Sequence, residues 1–404
     1  MGRPGVARRL GRCRGVVGVR GLPVVALALL TTLACDSAVG PANGIEPPAR
    51  TGDGWETATL EQVGMDARPL LDLLGVIAGT DDHLIHGLVI ARHGKLVLER
   101  YWPGVDLEPA TLEPVPTAFD RETLHYVASV SKSLTSALAG IAWDRGLISD
   151  VADSLFAYFP EYGHLRTDDN GPIAVEHLLS FTSGYEWNEF VYGFDDPRDS
   201  HNQMFRTGDP IGFLLARPVT TEPGSVFHYN SGDTNLLGEI VRRAAAASTL
   251  VDFAEQHLFQ PLGIATYTWI RFSLAPAVTF ASGGASLRPR DMAKLGALYL
   301  NGGTWNGTRV VSEAWITAST TEAIPLAGSY RTLYGYGYNW WLGRFPYLNG
   351  TVEYFRAAGW GGQDVFVVPE LELVVVFTAG GYYEPRPLDV EALIVDYVLA
   401  AIVE

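Results

Sequence analysis

The apolar positions of this chain change texture along its length. Residues 86–102 (HGLVIARHGKLVLERYW) hold two β-rich runs around His93-Gly94, which predicts a β-hairpin. Small and apolar residues run throughout residues 130–146, which predicts a helix buried in the core. The stretch 173–300 is mixed; helices are predicted at 234–246, 250–258 and 290–300, separated by turn signals such as Pro223-Gly224. From 334 onward, aromatic and β-branched runs at 334–343, 352–357, 363–368 and 372–379 predict successive antiparallel strands. Residues 387–402 are apolar at helical spacing and predict a closing helix. An early hairpin, a helical middle and late strands imply an α+β body: one sheet built from both chain ends, with a mostly helical insertion at about 125–300.

Ahead of this body, residues 1–20 carry Arg3, Arg8, Arg9, Arg12, Arg14 and Arg20 and no acid, and an apolar run extends from Leu22 through Ala34. The run is short for a membrane span and has the charged and apolar segments of a signal peptide. It ends Thr32-Leu33-Ala34-Cys35. This resembles a bacterial lipoprotein signal, although Thr32 stands where an aliphatic residue is usual. The expectation is export to the cell envelope, with Cys35 lipidated as a membrane anchor; simple cleavage is the alternative. Residues 36–55, rich in Gly, Pro and Asp, are expected to be a tether, leaving 56–404 as the working domain.

Composition narrows the function. Hydrophobic residues make up 47% of 404, enough for a large core. Without residues 1–35 the chain has 23 basic against 45 acidic side chains, a balance that repels phosphate backbones and excludes nucleic acid as an expected partner. The only cysteines are Cys13 and Cys35, so the body holds no disulfide and no cysteine nucleophile. His83 and His86 lack an evident third ligand, and Asp168-Asp169-Asn170-Gly171 lacks the length of a calcium loop, so neither metal nor cofactor is expected. There is no Gly-x-Ser-x-Gly elbow.

The candidate chemistry lies in separated segments. Ser129-Val130-Ser131-Lys132 opens the buried helix with Ser-x-x-Lys spacing, which places both side chains on one face. A serine hydroxyl needs a neighbour to take its proton, and a partly desolvated lysine can share that task. Lys132 is one of only three lysines, with Lys95 and Lys294. In Phe227-His228-Tyr229-Asn230-Ser231-Gly232-Asp233 a turn tyrosine precedes an apolar helix; held as a phenolate by a cation, Tyr229 would serve as a general base. In Ala358-Gly359-Trp360-Gly361-Gly362-Gln363 the glycines let backbone approach a ligand, and an edge strand there would offer N–H groups as an oxyanion hole. Of the aromatic cluster Tyr334, Tyr336, Tyr338, Trp340 and Trp341, most are expected in the core and one or two beside an acyl pocket.

Taken together, these segments resemble the serine β-lactamase and penicillin-binding protein superfamily, on the branch with class C β-lactamases, D-alanyl-D-alanine peptidases, carboxylesterases and 6-aminohexanoate-dimer hydrolases. His177-Leu178-Leu179-Ser180-Phe181-Thr182-Ser183-Gly184 and Glu222-Pro223-Gly224 agree, and the resemblance covers roughly residues 60–400. It implies an antiparallel sheet flanked by helices beside an all-helical subdomain, with the active site between them. It also implies acylation of Ser129, proton relay through Lys132 and Tyr229, and an oxyanion hole from the backbone N–H groups of Ser129 and Gln363. Ser231, Trp360, Gly361 and Gly362 would contact substrate.

Two departures from the family pattern bear on the substrate. Ser231 stands where many relatives have asparagine, and Trp360 where β-lactamases and peptidases usually have lysine. A cation there helps to bind a substrate carboxylate, and losing one charge-assisted contact costs about 1.5–3 kcal/mol. The expectation is an esterase or amidase acting on a small molecule with a neutral or apolar acyl group, with Arg356 the remaining candidate cation. The alternatives are a β-lactamase or D-alanyl-D-alanine carboxypeptidase, and a non-catalytic sensor of cell-wall fragments.

Overall fold

The computed structural model describes residues 44–189, 191–193, 196–326 and 332–403. The expected signal segment, Cys35 and the first part of the tether lie outside the described residues. Among these, no helix is long and apolar enough to cross a membrane.

Strands from both ends of the chain share one sheet: β1 (Glu56–Thr57), β2 (Ile85–Arg92), β3 (Lys95–Tyr101), β4 (Ile324–Pro325), β5 (Leu333–Tyr336), β6 (Trp341–Tyr347), β7 (Gly350–Gly359), β8 (Gln363–Val368) and β9 (Leu373–Ala379). Their spatial order is β1-β3-β2-β9-β8-β7-β6-β5-β4. The β2–β3 hairpin turns at His93 and Gly94, both at positive φ, which matches the twist of the flanking strands. β9 pairs antiparallel with β2, from Leu373 opposite Arg92 to Ala379 opposite Ile85, so the last strand docks on the early hairpin.

Alternation along these strands builds two cores. Leu88, Ile90, Phe366, Val375 and Phe377 face one side, where they pack with α1 (Ala67–Gly79) and the C-terminal helical segment. That segment is α-helical at Val390–Leu393, widens over Ile394–Val398 and tightens at Leu399–Ala401. Val89, Ala91, Val365, Val367, Val374 and Val376 face the other side, with α2 (Val130–Asp144), α3 (Ser231–Ala244) and α4 (Pro289–Leu300). Every residue from Val130 to Ala142 is buried, as the sequence texture predicts, whereas the helix ends at Asp144 and residues 144–146 are exposed.

Two expectations are corrected. The run 334–343 is not one strand: Gly337 N–H bonds Trp340 O at 2.9 Å, and the turn divides β5 from β6. Asn339, at φ +60, causes the break, because its side chain points inward to Leu179 O at 2.9 Å and accepts from Thr234 at 3.0 Å. Nor is β8 an edge strand. It lies between β7 and β9, because both neighbours are long and β-rich enough to pair with it along its length.

Candidate active site

Ser129 sits where a strand gives way to a helix. The chain runs from the strand His125–Tyr126 through Ala128, at φ +45, into Ser129 at the N-terminus of α2. A left-handed alanine costs about 1 kcal/mol or more. The Ala128 carbonyl is held in place by the Ser131 hydroxyl, which donates to it at 2.7 Å and accepts from Ala285 N–H at 3.1 Å. Other hydroxyls of α2 fasten the helix to its surroundings: Ser133 to Asn339 O at 2.7 Å, Thr135 to Ala281 O at 3.0 Å and Ser136 to Tyr338 O at 2.6 Å.

One turn into α2, Lys132 Nζ donates to Ser129 Oγ at 2.9 Å and to Ser282 O at 2.8 Å. Ser282 is itself fixed by Asn235 of α3, which accepts from its N–H at 3.2 Å and donates to its hydroxyl at 3.1 Å. The Tyr229 side chain hydrogen-bonds Ser129, and Lys132 Nζ stands 4.9 Å from the centre of its ring. Trp341 stacks on that ring at 5.8 Å and 13°. The serine, the amine and the phenol thus converge from α2 and the turn before α3.

Burial pushes the Lys132 ammonium down to about 8, against the opposing pull of the Glu189 carboxylate. Burial and the same carboxylate push the Tyr229 phenol well above its ordinary value, and the bond from Ser129 only partly offsets them. Burial thus favours the neutral phenol at Tyr229 over the phenolate considered from the sequence. Lys132 is the group at this site whose proton burial loosens.

The Gly359–Gln363 turn approaches Ser129 closely. A Cβ at Gly359 would lie 2.4 Å from Val127 O and 3.2 Å from Ser129 N, and 3.1 Å from Gln363 Cβ. The Ser129 amide and Gln363 are thus gathered around a single glycine. Gln363 is fully buried, and its side-chain amide donates to Ala379 O at 2.6 Å and accepts from Ala379 N at 3.2 Å, which fixes the start of β8.

A cavity of about 360 Å³ opens beside Ser129 and Lys132, and Ser231, Trp360, Phe205 and Phe280 contribute to its lining. The Ser231 hydroxyl donates to Glu189 Oε1 at 3.1 Å and its N–H to Oε2 at 3.0 Å, so this side chain is engaged with protein. Gly361 and Gly362, at φ +86 and +98, back onto the Tyr382 ring and the Arg386 guanidinium and are not part of the lining. Arg356 does not reach the cavity either. It pairs with Glu391 at 2.6 Å and lies near Asp364 at 3.9 Å, because its position in β7 faces away from Ser129.

Glu189, Asn235, Ser282, His201 and Arg206 carry no local motif that would have singled them out. Asn235 alone has a signal, since it lies one turn after Ser231 on α3 and shares its face. Among the described residues no cluster of three or more His, Cys, Asp or Glu is arranged to hold a metal.

A family model for beta-lactamases matches residues 75–399. A 6-aminohexanoate-dimer hydrolase of Paenarthrobacter ureafaciens is 27% identical over 283 residues, 64% of this chain and 66% of that protein. A lovastatin esterase of Penicillium rubens is 26% identical over 201 residues, 44% of this chain and 47% of that protein. The matches span just under two thirds and just under half of the two relatives' own lengths. Among solved structures, a family VIII carboxylesterase aligns with a TM-score of 0.62 at 19% identity, covering 82% of this chain and 96% of that one, a likeness of fold. With the family model running through most of the sheet and all of the segments that meet at Ser129, this chain belongs to the Beta-lactamase family.

Proposed function

We propose that this protein is an exported serine hydrolase that cleaves an ester or amide through an acyl-enzyme on Ser129. The observation that carries this reading is the 2.9 Å contact between Lys132 Nζ and Ser129 Oγ, with Tyr229 bonded to the same serine. In its neutral form Lys132 takes the proton as Ser129 Oγ bonds to the substrate carbonyl carbon. The proton then passes by way of the Tyr229 hydroxyl to the departing alkoxide or amine, and the carbon–heteroatom bond breaks. Water attacks the acyl-enzyme, gives its proton to the same relay and releases the acid with Ser129 restored. The N–H groups of Ser129 and Gln363 hold the oxyanion, supported by their gathering around Gly359 and by the position of Ser129 at a helix N-terminus.

The walls of the cavity favour an acyl group with an apolar body, since Phe205, Phe280 and Ile270 contribute to them. Trp360 presents an indole where a β-lactam or D-alanyl substrate would need a cation, which favours ester or amide over β-lactam. The relatives named 6-aminohexanoate-dimer hydrolase and lovastatin esterase are compatible with either bond. Export and a lipid anchor at Cys35 belong to the same proposal and rest on the sequence of residues 1–35.

Hydrolysis of a p-nitrophenyl ester tests the reading. The wild-type protein should turn it over and should be labelled by a fluorophosphonate at Ser129. Ser129→Ala should lose both. Turnover that survives in Ser129→Ala removes the assigned nucleophile, and a wild type inert to ester and probe alike overturns the hydrolase reading.

A further inference from the structure

The cavity beside Ser129 has an electrostatic bias that runs against the rest of the molecule. The chain as a whole has 45 acidic against 29 basic side chains. The cavity lining nevertheless includes Lys132 and Arg206 and, among the described residues, no Asp or Glu, although the Glu189 carboxylate stands behind Ser231 and burial holds the lining His201 below its ordinary value. Lys132 is committed to Ser129 and Ser282. Arg206 is different. It follows the short helix Ser200–Phe205, its side chain is exposed, and its guanidinium has no hydrogen bond or ion pair among the described residues. The lining also includes the apolar Phe205, Phe280 and Ile270. An unpaired guanidinium beside apolar walls presents donors in a fixed fork that matches a carboxylate. The field of the surrounding acidic surface does not favour anions, so a local cation here serves selection within the cavity rather than long-range steering.

We propose that Arg206 is a specificity residue for an acyl chain with an apolar body and a terminal carboxylate, the scissile carbonyl lying at Ser129 and the far end at Arg206. This rests on the hydrolase reading above and refines the expectation of a wholly neutral acyl group: the cation absent at Trp360 has a counterpart on another wall.

Mono-p-nitrophenyl esters of dicarboxylic acids of increasing length, each paired with the p-nitrophenyl ester of the monocarboxylic acid of matched length, test it with one leaving group throughout. At the best length the wild type should prefer the carboxylate-bearing ester in kcat/KM, and added salt should weaken that preference. Arg206→Gln should lower the ratio of the two kcat/KM values about twofold to fivefold, the worth of one solvent-exposed charge pair. Arg206→Glu should lower it further and Arg206→Lys should keep part of it. Circular dichroism spectra that match the wild type exclude misfolding of the variants. A ratio that is the same in wild type, Arg206→Gln and Arg206→Glu overturns the proposal. A wild type that fails to hydrolyse any ester in the set overturns the hydrolase reading instead, so the two failures are distinct.

Discussion

Proton transfer from Ser129 needs an acceptor, and with its ammonium at about 8, Lys132 is a free amine in about one molecule in ten at pH 7. Activity that depends on the free amine must rise with pH and level off above that value. We expect log kcat/KM for a neutral ester to climb with unit slope below pH 8 and then to plateau. Tyr229 stays protonated across that range, because its phenol is held above its ordinary value. A profile that is flat from pH 6 to 9 would remove Lys132 from this role. Glu189 acts on the same equilibrium with opposite sign to burial, since its carboxylate favours the ammonium. Glu189→Gln should therefore move the rising limb to lower pH; a shift to higher pH would contradict the assignment. Burying the ammonium also has a folding cost of about 3 kcal/mol, present in full below the folded value and fading as pH rises toward the ordinary lysine value. Lys132→Met should thus lose hydrolysis by about a thousandfold without lowering the melting temperature.

At the scale of the element, α2 combines its hydroxyl bonds with close packing, and the Gly359–Gln363 turn relies on polar contacts. Gly140 faces Trp315, and a Cβ there would lie 2.3 Å from the indole. Alanine normally improves a helix over glycine by about 1 kcal/mol. Here the clash should win, so Gly140→Ala should destabilise the protein by about 1–3 kcal/mol in denaturant unfolding. The turn is fixed by polar contacts beneath it. Tyr382 donates to Asp106 at 2.5 Å, accepts from Gln363 Nε2 at 3.4 Å, and lies edge-on to Trp360 at 5.1 Å. Tyr382 is a positioning residue for Gln363. Tyr382→Phe should lower kcat about tenfold with KM little changed, because only the grip on the start of β8 is loosened. A parallel rise in KM would place its effect on substrate binding instead. The helix was legible from its small and apolar texture. Tyr382 was not, because its partners Asp106 and Gln363 are distant in sequence and nothing local marks it.

Across the whole molecule, one buried arginine ties the early part of the domain to the helical half. Arg290, at the start of α4, is 1% exposed. It grips Glu99 of β3 at 2.7 and 2.9 Å, Thr51 at 2.9 Å, Asp53 at 3.2 Å and Ala49 O at 2.7 Å. Removing it leaves the Glu99 carboxylate buried without its counter-charge. Arg290→Met should cost about 3–5 kcal/mol in denaturant unfolding, and adding Glu99→Gln should recover part of the loss. A cost under 1 kcal/mol would mean that the pair is dispensable to the fold.

Period, burial texture and motif spacing determined a good deal. The β2–β3 hairpin, the buried helix after Ser129, the late strands and the Ser129–Lys132 pair all depend on residues close together in the chain, where local geometry leaves little choice. Tertiary structure alone decided the rest. β8 became central because β7 and β9 pair on either side of it, and Arg356 turned away because Glu391, remote in sequence, holds it. The amine of Lys132 is poised by burial and by Glu189, and Arg206, just after a separate short helix, lines the same cavity. Solvent exclusion and charge proximity are properties of distance in space, and no spacing along the chain encodes them.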